Sequence, residues 1–225
     1  IARVLSGHYT VYLPEQRNHG ASPWSETWNY DVMATDIKSL IEKEHLDEIC
    51  VLGHSMGGKV AMELAIRYPG LLRKIMVADI GPKSYPVRHR FIIDALKSID
   101  LNSISKRKEA DDQLAQWIKA PHVRNFLLKN LDRNKNGSFG WKINLEVIDR
   151  NIAEAGTGQL PVEPVDIPAL FVRGANSDYI LDSDLQDIRQ MFPQAQLTTI
   201  DNAGHWLHAE QPVVFTDIVR GFFNC

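Results

Sequence analysis

A chain of 225 residues, 44% of them hydrophobic, has enough apolar material for one large α/β domain with an insertion. Against 28 acidic residues stand 25 basic ones, a formal charge of -3, which offers no basic field to a phosphate backbone and points to small molecules rather than nucleic acid. Cys50 falls in an apolar strand pattern and Cys225 is the last residue, so a reduced, cytoplasmic protein without a disulfide framework is expected, and no apolar run approaches the length of a membrane span.

Ile1, Val4 and Leu5 have the spacing of a helix end stopped at Gly7, a pattern of mid-fold rather than of a natural start. A strand over 9–13 follows, then the loop "PEQRNHGASPW" and a helix over 30–44 with Val32, Met33, Ile37, Leu40 and Ile41 on its apolar face. A strand over 48–52 enters a Gly-rich turn, a helix runs over 56–67 to Tyr68-Pro69, and a strand over 74–78 ends at "DIGP". Short apolar strands between amphipathic helices predict a parallel sheet covered on both faces. From 80 to 168 the spacing is helical only, in "RHRFIIDALKSI", "RKEADDQLAQWIKA", "HVRNFLLKNL" and "NLEVIDRNIAEA". A strand over 169–173, a helix over 184–191, a strand over 196–200 and a helix over 212–223 restore the alternation. The expected domains are therefore an N-terminal core part over 1–80, a helical cap over 81–165 and a C-terminal core part over 166–225.

"VLGHSMGGKV", residues 51–60, admits two readings. From Gly53 to Lys59 it approaches a phosphate-binding loop, but such a loop needs a hydroxyl after its Lys to ligate magnesium, and position 60 is Val60. From Gly53 to Gly57 it is G-x-S-x-G, a strained strand-to-helix turn presenting Ser55, with Gly53, Gly57 and Gly58 supplying the small residues that a close backbone approach demands. A serine is a weak nucleophile unless a base takes its proton. His205, in "DNAGHWLHAEQP", lies on the loop leaving the last strand, at the sheet edge where parallel strands collect their C-terminal ends.

"RNHGASPW", "GHSMGGKVAM", "DIGPKSYPVR", "FVRGANSDY" and "AGHWLHAEQP" together resemble the α/β-hydrolase superfamily, and most the bacterial YbfF-type carboxylesterases, over nearly the whole chain. The resemblance implies an α/β-hydrolase fold and a serine esterase that cleaves short acyl esters or thioesters through an acyl-enzyme, without cofactor or metal. It makes Ser55 the nucleophile, His205 the base and later acid, and the Met56 N–H one oxyanion donor, with His54 and Trp206 beside the substrate. A second oxyanion donor comes in this superfamily from a His-Gly loop after a strand this chain lacks, so upstream strands are expected. A small-molecule-binding protein on the same fold, without useful turnover, is the alternative.

Two carboxylates compete for the acid role. Many members carry it three residues after the Gly ending the penultimate strand; Gly174 is followed at that spacing by Ser177, and Asp178 is displaced by one. YbfF-type enzymes take it from the preceding strand end, where Asp79 stands. Adjacent strands lie about 4.8 Å apart, so either could reach His205; Asp79 is preferred, with Asp178 the alternative and Ser177 a hydrogen-bonding neighbour. Other features have simpler readings. His19 is expected to make a structural bond and His208 a local one, while His8, His45, His89 and His122 show no partner pattern. "DRNKNG" has the first half of a calcium loop, but its twelfth position is Ile143, so an Asn-Gly turn is expected. "KRKEADD" reads as a solvated helix face, and Trp117 or Phe126 as candidate acyl-site walls.

Overall fold

The computed structural model describes residues 1–87, 90–159, 161 and 163–224; His89 and Cys225, considered above, lie outside them. Two compact units divide the chain, one of Ile1–Pro14, Tyr30–Ser84 and Thr157–Cys225, the other of Glu15–Asn29 and Tyr85–Gly156.

In chain order, the first unit begins with α1 (Ala2–Leu5), α2 (Tyr30–Lys43), β1 (Ile49–His54), α3 (Met56–Arg67) and β2 (Leu72–Ala78). The second unit contributes α4 (Arg90–Lys97), α5 (Arg107–Leu114), α6 (Pro121–Leu127), β3 (Leu131–Arg133), β4 (Phe139–Trp141) and α7 (Leu145–Arg150). The first unit resumes with β5 (Ala169–Gly174), α8 (Leu185–Met191), β6 (Gln196–Ile200), α9 (Leu207–Glu210) and α10 (Pro212–Phe223).

The sheet of the first unit has the order β1-β2-β5-β6, parallel throughout. Its centre is the run Ile75–Ala78 on β2, whose side chains are wholly buried, flanked by Phe171 and Val172 on β5. Continuous apolar strands of this kind need helices on both faces. α3 packs against β1 and β2, while Phe215 and Val219 of α10 join Met76, Ala78, Leu170 and Val172 in one cluster. The register pairs His54 with Ala78 and Ala78 with Val172, so β1 and β2 end together, β5 runs two residues further to Gly174, and Ser55 and Asp79 emerge side by side.

The strand expected over 9–13 does not form. Apolar alternation makes a strand only where a ladder partner exists, and among the described residues β1 pairs with β2 alone. Tyr9 and Val11 instead pack against the core cluster, and Tyr9 Oη donates to Asn224 Oδ1 at 2.9 Å.

The second unit is not helical only, as expected, because β3 and β4 form an antiparallel hairpin. Asn136-Gly137 makes its turn, with Gly137 at φ 85°, and Gly137 N donates to Asn134 O at 2.9 Å. The "RNHG" segment belongs to this unit: fully buried Asn18 exchanges bonds with Ser25, and His19 Nδ1 meets Arg17 O at 3.0 Å. Ala110 and Leu114 are the buried side of α5, opposite its charged run. Among the described residues no helix is long and apolar enough to cross a membrane.

Candidate active site

Ser55 stands between β1 and α3 at φ 53° and ψ -120°, a conformation that costs a non-glycine residue roughly 1–3 kcal/mol. Its N–H donates to Ala78 O at 3.0 Å, and its carbonyl accepts from Gly58 N and Lys59 N at 2.8 and 3.1 Å. The glycines around it differ in necessity. A Cβ on Gly53 would lie 2.1 Å from Gly57 O, and one on Gly58 would lie 2.5 Å from Ile80 Cγ2. On Gly57 it would meet nothing within 4 Å, so the small-residue demand expected there is absent; it is Gly57's backbone that crowds Gly53. Met56 opens α3, so its N–H is among those a helix leaves without an internal acceptor.

Lys59, the lysine of the rejected phosphate-loop reading, is wholly buried. Nζ donates to the carbonyls of Pro82, Lys83 and Thr157 at 3.1, 2.7 and 2.9 Å, and burial pushes its ammonium down to about 7. Its charge thus serves three backbone oxygens.

Asp79 follows β2 directly, at φ 52° and fully buried. Oδ1 accepts from Gly174 N at 3.1 Å, while Oδ2 accepts from Ser177 Oγ and stands 2.8 Å from His205 Nδ1. On the ring's other side, Nε2 lies 3.1 Å from Ser55 Oγ. A carboxylate only accepts, so the ring proton belongs on Nδ1 and the Nε2 lone pair faces the hydroxyl. An imidazole so held can take a proton from the serine and return it to a leaving group. Ser55, Asp79 and His205 are thereby brought together, and Ser177 occupies the neighbouring place expected of it. Asp178 is exposed.

His54 is turned into the protein. Nε2 donates to His205 O at 2.7 Å, and the ring lies between those of His205 and His208, with centroids 4.8 and 4.5 Å away. Burial first, and the His205 ring second, push His54 down to about 4, and the same two causes lower His208. The local bond expected of His208 is not made at Nδ1, which is buried and has no hydrogen-bond partner among the described residues. Trp206 caps α9 and is half-buried. Two further groups hold the His205 segment: the ring of Tyr179 stacks on His205 at 4.0 Å and 20°, and Glu210 accepts from Gly204 N and Trp206 N on either side of it. Tyr179 lies in the quoted "FVRGANSDY" and Glu210 in "AGHWLHAEQP", but nothing in their spacing signals these roles.

Residues 1–218 match the alpha/beta hydrolase family. The sn-1-specific diacylglycerol lipase ABHD11 of Mus musculus is 38% identical over 218 residues, which are 94% of this chain and 71% of that protein. Esterase YbfF of Escherichia coli (strain K12) is 32% identical over 226 residues, 100% of this chain and 86% of that one. Among solved structures, a marine microorganism esterase superposes with a TM-score of 0.96 at 42% identity, covering 98% of this chain and 87% of the other. The similarity spans the elbow, both neighbouring strand ends and the histidine loop, and the chain belongs to the alpha/beta hydrolase family.

Proposed function

We propose that the chain is a serine ester hydrolase working through an acyl-enzyme, with Ser55 as nucleophile, His205 as general base and then acid, and Asp79 as the carboxylate that orients the ring. The observation that carries this is the unbroken path from Ser55 Oγ through His205 Nε2 and Nδ1 to Asp79 Oδ2, at 3.1 and 2.8 Å. Esters are the substrate class because similar proteins are named esterase or lipase. A thioester presents the same carbonyl with a better leaving group and belongs to the same proposal.

Nε2 removes the serine proton as Oγ attacks the carbonyl carbon, and the charge developing on the carbonyl oxygen meets the Met56 N–H. His205 then donates that proton to the departing alcohol or thiol, leaving the acyl group on Ser55. Water repeats the sequence in the second half, with the imidazole as base again. The acyl transfer requires no cofactor.

A series of p-nitrophenyl esters of increasing chain length, run beside fluorophosphonate labelling, tests the reading. One label per chain at Ser55 and loss of turnover in Ser55→Ala are expected. Ester turnover retained in Ser55→Ala would end it, and a wild type that neither labels nor turns over would be a binding protein.

A further inference from the structure

The loop carrying His205 has no ladder or helix to hold it between the end of β6 and the start of α9. Its backbone is instead fixed by side chains at three consecutive residues. Gly204 N donates to Glu210 Oε2 at 2.8 Å, Trp206 N donates to Glu210 Oε1 at 3.2 Å, and His205 O accepts from His54 Nε2 at 2.7 Å. The N–H groups of the residues before and after His205 are therefore tied to one carboxylate, and the carbonyl of the peptide joining His205 to Trp206 is tied to the residue that precedes Ser55.

We propose that Glu210 is a positioning residue, fixing the backbone from which His205 reaches Ser55; this rests on the reading of His205 as the base. Glu210 is well placed to act as an anchor. It closes α9, where its own N–H donates to Trp206 O at 2.9 Å, and α9 is pinned by wholly buried Leu207. The side-chain type matters as well. Two N–H groups are served by two different oxygens, which a carboxylate provides and an amide does not, since its nitrogen only donates. Proton transfer tolerates misplacement of roughly 0.5 Å or 10–20°, and torsion at either flanking peptide swings the whole imidazole. Glu210 itself is exposed, so in its absence both N–H groups can turn to water and the fold can persist while the orientation is lost.

The test compares wild type, Glu210→Gln and Glu210→Ala by kcat and KM on one p-nitrophenyl ester as a function of pH, with active sites counted by the fluorophosphonate label. In Glu210→Ala, kcat per labelled site should fall roughly 10- to 100-fold with KM almost unchanged. Glu210→Gln, which keeps one acceptor, should fall between Ala and wild type. Wild-type kcat per labelled site in Glu210→Ala would overturn the proposal, as would equal behaviour of Ala and Gln with only the acid limb of the pH profile displaced, because that would be charge and not geometry. A wild type that does not label at Ser55 would refute the serine reading and this inference together, whereas the preceding outcomes refute this one alone.

Discussion

Replacing Asp79 with Asn exchanges a group that only accepts for one with a single acceptor and two donors. The acceptor must stay with Gly174 N, which donates to Oδ1 at 3.1 Å, so the amide nitrogen takes the place of Oδ2. There it faces Ser177 Oγ, which can turn and accept, and His205 Nδ1 at 2.8 Å, which must then accept too. The ring proton moves to Nε2 and points at Ser55 Oγ, 3.1 Å away, so the imidazole can no longer take the serine proton. Asn suits the φ of 52° as Asp does, whereas Ala would add backbone strain to the chemical loss. A wrong tautomer of this kind costs about 10⁴ in kcat, or about 5 kcal/mol of barrier. Steady-state hydrolysis of p-nitrophenyl acetate should show that loss with KM changed little, while a thermal melt shows the protein still folded. Asp178→Asn, at an exposed position, is the control and should leave turnover near wild type. A mild Asp79→Asn beside a severe Asp178→Asn would refute the reasoning.

Ser55→Ala and His205→Ala should each abolish most turnover, with the double variant little worse than either, because the residues act as a unit; additive losses would argue against a shared step. Gly53→Ala should unfold the elbow, since its Cβ would sit 2.1 Å from Gly57 O, while Gly57→Ala, with nothing within 4 Å, should be tolerated or raise the melting temperature slightly. The opposite ranking in thermal melts would contradict the elbow geometry. His54 has its folded value lowered to about 4 from an ordinary 6.5, so between those values the unfolded chain binds more protons and stability falls as pH falls. Up to about 3 kcal/mol should disappear across that window in urea titrations, and His54→Asn should flatten the profile; a wild-type curve already flat from pH 6.5 to 4 would disprove the burial argument.

The alternation of apolar strands with amphipathic helices made the parallel sheet legible, because each strand of a doubly covered sheet is apolar on both faces. Pairing was not legible in the same way. Residues 9–13 have the alternation of a strand, but periodicity describes one segment and a ladder needs two. β3 and β4 have three residues each, too few for any period to register, and only the Asn-Gly turn between them was visible. Glu210 and Tyr179 act through the path of a loop, which residue spacing does not encode.

The two residues flanking His205 differ in legibility for a physical reason. Ser55 and Asp79 follow adjacent parallel strands and have nearly the same left-handed φ, 53° and 52°. At Ser55 the sharp turn folds α3 back onto β1, bringing Gly57 O to where a Cβ on Gly53 would be, so the conformation demands glycine and leaves a motif. At Asp79 the chain departs after its N–H donates to Val172 O at 2.8 Å, and aspartate is among the residues that enter this region most readily. No neighbour has to shrink, and no motif forms. In sequence only the family resemblance favours Asp79 over Asp178, and what separates them in space is the register of β2 on β5, Ala78 against Val172, which sets the Asp79 carboxylate under Gly174 N and Ser177 Oγ. A serine held in a strained turn announces itself through the glycines that permit it, whereas the placing of the carboxylate depends on strand register, a relation between two distant segments.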